Sequence, residues 1–285
     1  FSLDNSDFVL FFSTILKNRK KNMPKVAVND IDVYYEERGE GAPLMMIIGL
    51  SGVGAGWGPQ IPLFSENYRT IVPDHRGVGN SSHPSDGYTI DQLASDMAEV
   101  LRTIGVSSAH IMGSSTGGAI AQVMALDHPE VVQSLTLVTT WARADAYFER
   151  CFGVRKKILN EMGREAYTRA SSTFLWSGKY IREHAEELER WEEGVLSGSA
   201  EIDIMNKRID MIVEHDQLDR LKKIDKPTLV VAGRQDICTP SFYAEEIAAA
   251  IPGAELILLD GGHFLYREDP GPFHRCVDKF LARIG

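Results

Sequence analysis

The chain has 285 residues, of which 44% are hydrophobic and 25% charged, with a formal net charge of −10. That length suits one large α/β domain with enough apolar content to bury a substantial core, and the acidic balance argues against nucleic acid or an anionic membrane surface as partner. Its three cysteines, Cys151, Cys238 and Cys276, are odd in number and widely spaced, no Cys/His cluster has zinc spacing, and a reducing cytoplasm is the simplest location.

In chain order, residues 1–22 stand apart. Phe8-Val-Leu-Phe-Phe12 and Ile15-Leu16 are apolar and precede the basic Lys17-Asn-Arg-Lys-Lys21. A secretory signal carries its positive charge before the apolar region, and this order is reversed. The apolar run is also too short to span a bilayer. Met23-Pro-Lys-Val26 reads as a natural start, which makes residues 1–22 an added N-terminal extension; the alternative is a short basic amphipathic surface anchor. Strands are predicted to begin near residues 25, 31, 43, 69, 109, 134, 228 and 254.

The strand Pro43-Leu-Met-Met-Ile-Ile48 is followed by Gly49-Leu50-Ser51-Gly52. In Gly52-Val-Gly54-Ala-Gly56 the glycines suggest a dinucleotide fingerprint, but G-x-G-x-x-G from Gly52 needs glycine where Trp57 stands. No G-x-x-x-x-G-K-[ST] phosphate loop occurs, and no cofactor is required.

Residues 113–117 are Gly113-Ser114-Ser115-Thr116-Gly117, the G-x-S-x-G pattern. An apolar run, Ala109 to Met112, precedes it, and a small-residue helical segment follows. A serine hydroxyl needs exposure and a base before it can act as a nucleophile. A sharp strand-to-helix turn supplies the exposure and leaves the next backbone N–H free for an oxyanion. Register selects Ser115, because centring the motif on Ser114 would require glycine at Met112 and Thr116. Five residues alone also fit an ordinary strand–turn–helix junction, so the downstream partners decide.

Ser134-Leu-Thr-Leu-Val-Thr-Thr140 is the next strand, and no further convincing strand begins before Thr228. Residues 141–225 between them are mostly helical. Tyr180, Ile181, His184, Leu188, Trp191 and Val195 recur at helix spacing. Such an insertion reads as a lid over the strand C-terminal ends, where ligands bind in α/β sheets. Residues 23–140 and 226–285 form the core. Trp141 and Arg143 follow the strand directly and are expected near the site mouth. An arginine there can pair with a substrate carboxylate or tie the lid to the core. The aromatics Trp141, Phe148 and Trp176 would equally suit a hydrophobic acyl chain.

After Thr228-Leu-Val-Val-Ala-Gly233 comes Asp236, and after Ala254-Glu-Leu-Ile-Leu-Leu-Asp260 comes Gly261-Gly262-His263. Singly, an aspartate past a strand is often a cap and a Gly-Gly-His a turn. Together with Ser115 they stand past strand ends in the order nucleophile, acid, histidine. The roles follow from chemistry: His263 accepts the Ser115 proton, and Asp236 fixes the imidazole tautomer and stabilises the imidazolium. A tetrahedral oxyanion needs two N–H donors, for which Thr116 and Leu50 are the candidates.

On these residues the chain resembles the α/β-hydrolase superfamily over essentially all of Met23–Gly285. The supporting stretches are Gly49-Leu50, Asp74-His-Arg76-Gly77-Val-Gly79-Asn-Ser81, the elbow at Ser115, Gly233-Arg-Gln-Asp236 and Gly262-His263. The resemblance gives the Asp74–Ser81 loop a structural role, so His75 is not counted as a base. Ile48-Gly49 stands where the family usually has His-Gly. Within the superfamily the chain is similar to 3-oxoadipate enol-lactonases, to aminoacrylate hydrolases of pyrimidine breakdown and to carboxylesterases. The aminoacrylate likeness is greatest from Trp141-Ala-Arg143 through Arg150-Cys151-Phe152-Gly-Val154-Arg155. Some members of that group lack a serine at the elbow, whereas this chain has Ser115, which favours an ester-type acyl-enzyme. The expectation is therefore a lidded α/β-hydrolase with a mostly parallel eight-stranded sheet, cleaving small to medium esters or lactones. A C–N or C–C bond hydrolase of the same fold, or a ligand receptor that retains the triad and turns over slowly, is the alternative. Ser115 disfavours dehalogenase and epoxide hydrolase chemistry, which use aspartate at the elbow.

Overall fold

The computed structural model describes residues 24–284, so the proposed extension over residues 1–22 and its start at Met23 lie outside the described residues. Strands β1 (Lys25–Val28), β2 (Ile31–Arg38), β3 (Ala42–Ile47), β4 (Tyr68–Pro73), β5 (Ala109–Ser114), β6 (Val132–Val138), β7 (Thr228–Gly233) and β8 (Glu255–Leu259) form one sheet in the order β1-β2-β4-β3-β5-β6-β7-β8. β1 pairs with β2, and β2 with β4, antiparallel; every other pairing is parallel. The sequence places each strand start within two residues of the observed one.

The central strands are buried on both faces, which is why they read as continuous apolar runs. Alternate side chains go to opposite layers. Met45 and Ile47 join Ile111, Leu135, Leu137, Val230 and Ala232 against the helices Ile90–Thr103, Thr116–Asp127 and Ser241–Ala250. Leu44, Met46 and Ile48 join Met112, Val138, Leu229 and Val231 against Gln60–Phe64 and Pro270–Leu281. With this two-layer packing complete, every parallel strand runs its C-terminal end to the same edge, and that edge carries the loops that matter.

Residues 141–225 contain the helices Ala146–Leu175, Gly178–Glu183, Ala185–Ser197 and Ile202–Val213, then a 3-10 turn at Leu218–Lys223. No strand occurs there among the described residues, only an isolated bridge between Arg143 and Asp216. The first helix breaks at Gly163, whose φ of 82° is not helical. The apolar period from Tyr180 to Val195 is likewise divided, at His184, whose φ of −130° ends one helix and begins the next. Tyr180 and Leu188 still converge with Trp176 in a small cluster that also takes in Trp191 and Phe264. No helix among the described residues is long and apolar enough to cross a membrane.

Candidate active site

Ser115 sits between β5 and the helix Thr116–Asp127 with φ 54° and ψ −119°. A non-glycine residue in this region carries strain of about 1–3 kcal/mol, which persists only where the surroundings impose it. Here backbone crowding imposes it. A Cβ on Gly113 would lie 2.2 Å from Gly117 O, and one on Gly117 would lie 2.0 Å from Ile47 O. The helix thus presses on β5 and β3 so closely that only hydrogen fits at either end of the turn. Ser115 N–H donates to Val138 O (2.8 Å), and Thr140 Oγ1 donates to Ser115 O (2.8 Å). The turn is thereby held from β6 as well.

Asp236 and His263 follow β7 and β8. Asp236 is held by its own loop: Oδ1 accepts from Cys238 N (2.8 Å) and Thr239 N (2.9 Å), and Oδ2 accepts from Thr239 Oγ1 (2.8 Å). Its Oδ2 also lies 2.8 Å from His263 Nδ1, with both side chains buried. An ionised carboxylate only accepts, so the proton is on Nδ1 and Nε2 is left as the basic nitrogen. Burial alone would push the His263 imidazole down. The Asp236 charge and hydrogen bond, with Cys238, outweigh it, and the net direction is above the ordinary histidine value.

Asp145, the other carboxylate near a strand end, is engaged elsewhere. It caps the helix Ala146–Leu175, accepting from Tyr147 N and Phe148 N (both 2.9 Å), and takes the Tyr243 hydroxyl as well.

The two N–H candidates are both free of other partners among the described residues. Thr116 is the first residue of its helix, where backbone donors have no intrahelical acceptor. Leu50 lies in a turn closed by Gly52 N to Gly49 O (2.9 Å). The turn abuts the elbow, since a Cβ on Gly49 would come 3.2 Å from Ser115 Cβ. The Asp74–Ser81 loop supports it: Asp74 Oδ1 accepts from Gly54 N (2.8 Å) and Oδ2 from Asn80 N (2.9 Å). Within that loop Arg76 is consumed by Asp96 and Asp30.

Trp141 and Arg143 go to different surroundings. Trp141 is fully buried, its ring 4.5 Å from that of Phe148 and edge-on to His215, and its carbonyl accepts from Gln122. Arg143 is exposed and bridges to Asp216 through its backbone. The insertion grips the loops of the site with residues to which the sequence reading gives no role. Arg155, buried among the rings of Phe152, Tyr167 and Phe174, places Nη1 3.6 Å from Cys238 Sγ. Arg208 donates to Leu50 O. Glu268, from the core side, accepts from Gly262 N (3.0 Å) and from Ser177 N and Oγ (both 2.7 Å). Phe264, next to His263, donates its N–H to Leu175 O (2.9 Å) and packs its ring on Trp176 and Trp191. The one sequence signal available was the position of Arg208 on the buried stripe Ile204–Arg208–Ile212 of its helix.

A strained serine at a strand–helix elbow, a buried aspartate–histidine pair and two free N–H groups on a doubly wound sheet define a hydrolase of the α/β-hydrolase class. The family model described as alpha/beta hydrolase fold matches residues 42–270, and the chain belongs to this family. It is 37% identical over 263 residues to a protein of Azorhizobium caulinodans named "Putative carbamate hydrolase RutD", covering 92% of this chain and 99% of that one. Among solved structures it is similar to the enol-lactonase from Burkholderia xenovorans (TM-score 0.84, 25% identity, 91% of this chain and 100% of that). It is also similar to a thermophilic esterase from Thermogutta terrifontis (TM-score 0.82, 25% identity, 93% and 99%).

Proposed function

We propose that this hydrolase is a serine enzyme that cleaves carboxylic esters or lactones through an acyl-enzyme. The observation that carries the reading is the conformation of Ser115. A positive φ imposed on a serine by the packing of its elbow, on the same sheet edge as a histidine oriented by a buried carboxylate, is the arrangement that activates a hydroxyl. Ser115 Oγ adds to the substrate carbonyl while His263 Nε2 takes its proton. The oxygen that becomes anionic is held by the N–H groups of Thr116 and Leu50. As the intermediate collapses, the bond to the alcohol oxygen breaks and His263 returns the proton to it. Water then adds to the acyl-enzyme with His263 again as base, Ser115 leaves protonated, and the acid is released. Asp236 stays ionised throughout and stabilises the imidazolium. Residues 141–225 would act as the lid that shapes the acyl pocket.

A second reading is favoured by the 37% identity to the RutD protein: a carbamate in place of the ester. The same serine, base and N–H pair serve a carbamate carbonyl: the alcohol oxygen leaves with the proton from His263 to give a carbamoyl-enzyme, and water then releases the carbamic acid, which loses carbon dioxide to give the amine. The test is a panel of p-nitrophenyl esters of graded length, small lactones and aryl carbamates, with active-site labelling by a fluorophosphonate located by peptide mass. Label on Ser115 and turnover of esters or lactones above carbamates is the expected result. Label on Ser115 with turnover of carbamates alone would establish the second reading, and no label on Ser115 would remove both.

A further inference from the structure

Arg208 is 2% exposed, yet no carboxylate lies within ion-pair distance of it among the described residues. Its partners are neutral. Nε and Nη2 both donate to Leu50 O, at 3.1 and 2.9 Å. Nη1 donates to Arg76 O at 3.0 Å. Nη2 lies 3.0 Å from His75 Nδ1. A guanidinium has donors only, so His75 Nδ1 must be unprotonated and the ring neutral. Burial, with the Arg208 charge, holds the His75 imidazole far down, consistent with that tautomer. Burial also lowers Arg208, to about 10, which leaves it charged at neutral pH.

A buried cation facing only carbonyls and an imidazole is an expensive way to hold two loops together, because nothing neutralises it. What distinguishes its place is the turn it grips. Gly49–Gly52 is closed by Gly52 N to Gly49 O, and Leu50 and Ser51 are its central residues. The Leu50 carbonyl lies in the Leu50–Ser51 peptide and the Leu50 N–H in the Gly49–Leu50 peptide, the two joined at the Leu50 Cα, so a hold on the carbonyl fixes the residue from its C-terminal side. Arg208 binds that carbonyl with two N–H groups at once. Gly52, with φ 68°, leaves the room: a Cβ there would come 2.8 Å from Arg208 Nη2.

We propose that Arg208 is a positioning residue of the oxyanion site: by holding the Leu50 carbonyl it fixes Leu50 in its turn, and with it the direction of the N–H on the other side of the Leu50 Cα. Its own positive charge, in a region sealed from water, adds to the field that favours an anion there. The inference rests on the reading above, in which Leu50 and Thr116 hold the oxyanion. It also means that a residue of the helical insertion belongs to the chemistry of the core.

The test compares Arg208→Gln, Arg208→Lys and Arg208→Ala with the wild type and with Lys207→Gln, an exposed cation on the same helix. Each is measured for kcat and KM on one ester, rate of fluorophosphonate labelling and melting temperature. Loss of a single oxyanion donor costs about 100–1,000-fold in kcat. Folded Arg208→Gln is expected to lose about 30–300-fold in kcat, and the same factor in labelling rate, with KM within about threefold. Arg208→Lys is expected to recover only part of the loss, since one ammonium does not reproduce the fork. Arg208→Ala is expected to regain activity in millimolar guanidinium but not in equimolar sodium chloride. If Gln and Ala do not fold, the Lys variant and its labelling rate decide. A folded Lys or Gln variant with wild-type kcat and labelling rate would overturn the proposal. So would an equal loss in Lys207→Gln, or guanidinium restoring melting temperature without kcat. Failure of wild-type labelling at Ser115 would instead remove the serine-hydrolase reading itself.

Discussion

At the C-terminal edge of β5 and β3, backbone touches backbone: the Ser115 turn exists because a Cβ on Gly113 would lie 2.2 Å from the helix at Gly117 O and one on Gly117 would lie 2.0 Å from β3 at Ile47 O. In the helical insertion the glycines do nothing comparable, and Gly153 and Gly194 would meet nothing within 4 Å on gaining a Cβ. The insertion is fixed instead by long side chains that leave its helices to grip the core loops: Arg155 at Cys238, Tyr147 at Ile237 O and Arg208 at Leu50 O. One region is built by what its residues lack, the other by what they reach. The first fixes the backbone of the proposed nucleophile, and the second holds each neighbouring loop by a separable contact.

The largest test of this contrast is at the nucleophile. Ser115→Ala is expected to lower kcat by about 10⁴–10⁶ with folding intact. Ser114→Ala, one residue earlier and buried in β5, is expected to lose far less; kinetics on the two purified variants decides, and a dead Ser114 variant with a live Ser115 variant would place the nucleophile wrongly. Next is the acid. Asp236→Asn is expected to cost about 10⁴ in kcat, because the amide can stabilise the wrong imidazole tautomer. Asp145→Ala removes a helix cap and the acceptor of the Tyr243 hydroxyl and is expected to cost about 1–3 kcal/mol of stability with kcat nearly unchanged; melting curves beside the rates separate the two.

Gly117→Ala and Gly194→Ala test the packing difference directly. The first is expected to destabilise by about 3 kcal/mol or more, since neither Ile47 nor the helix can retreat. The second adds a methyl to an open helix position and is expected to stabilise by about 0.5–1 kcal/mol. Denaturant midpoints measure both, and similar values for the pair would erase the contrast.

The smallest effect is in pH. As the proposed base His263 must be neutral to act, and its folded-state value is raised. The rising limb of kcat/KM is therefore expected above the ordinary histidine value of about 6.5. Removing the carboxylate charge in Asp236→Asn is expected to move that limb down in pH. By linkage, the raised value contributes stability that is complete below the unfolded-state value and lost as pH rises through the folded-state one. A limb lying below 6.5 in the wild type would show that burial, not Asp236, governs the imidazole.

The sequence reveals the sheet and elbow because both rest on local rules. Doubly buried strands are unbroken apolar runs, and a turn that admits only glycine at two points prints G-x-S-x-G. The Asp236–His263 contact follows from strand order. The insertion is opaque for the opposite reason. Arg208 differs from the solvated Lys207 beside it only by helical phase, and Arg155 only by the rings that fold around it. Arg143 and Trp141 look informative because they follow a strand, but the chain turns there, burying one in the core and leaving the other in solvent. Gly163 and His184 interrupt helices whose apolar spacing continues across the break, so periodicity alone does not find the joints.

The bond from Phe264 N–H to Leu175 O has a consequence for how such an enzyme can be altered. Phe264 shares a peptide unit with His263, and its ring sits among Trp176 and Trp191. The insertion is therefore not a cassette that can be exchanged for that of a relative to transplant substrate preference. A chimaera that brings foreign helices without partners for Phe264, Leu50 O and Cys238 is expected to be born with a misaligned base, however well its new pocket fits. Successful grafts will be those that carry both halves of each contact across the junction.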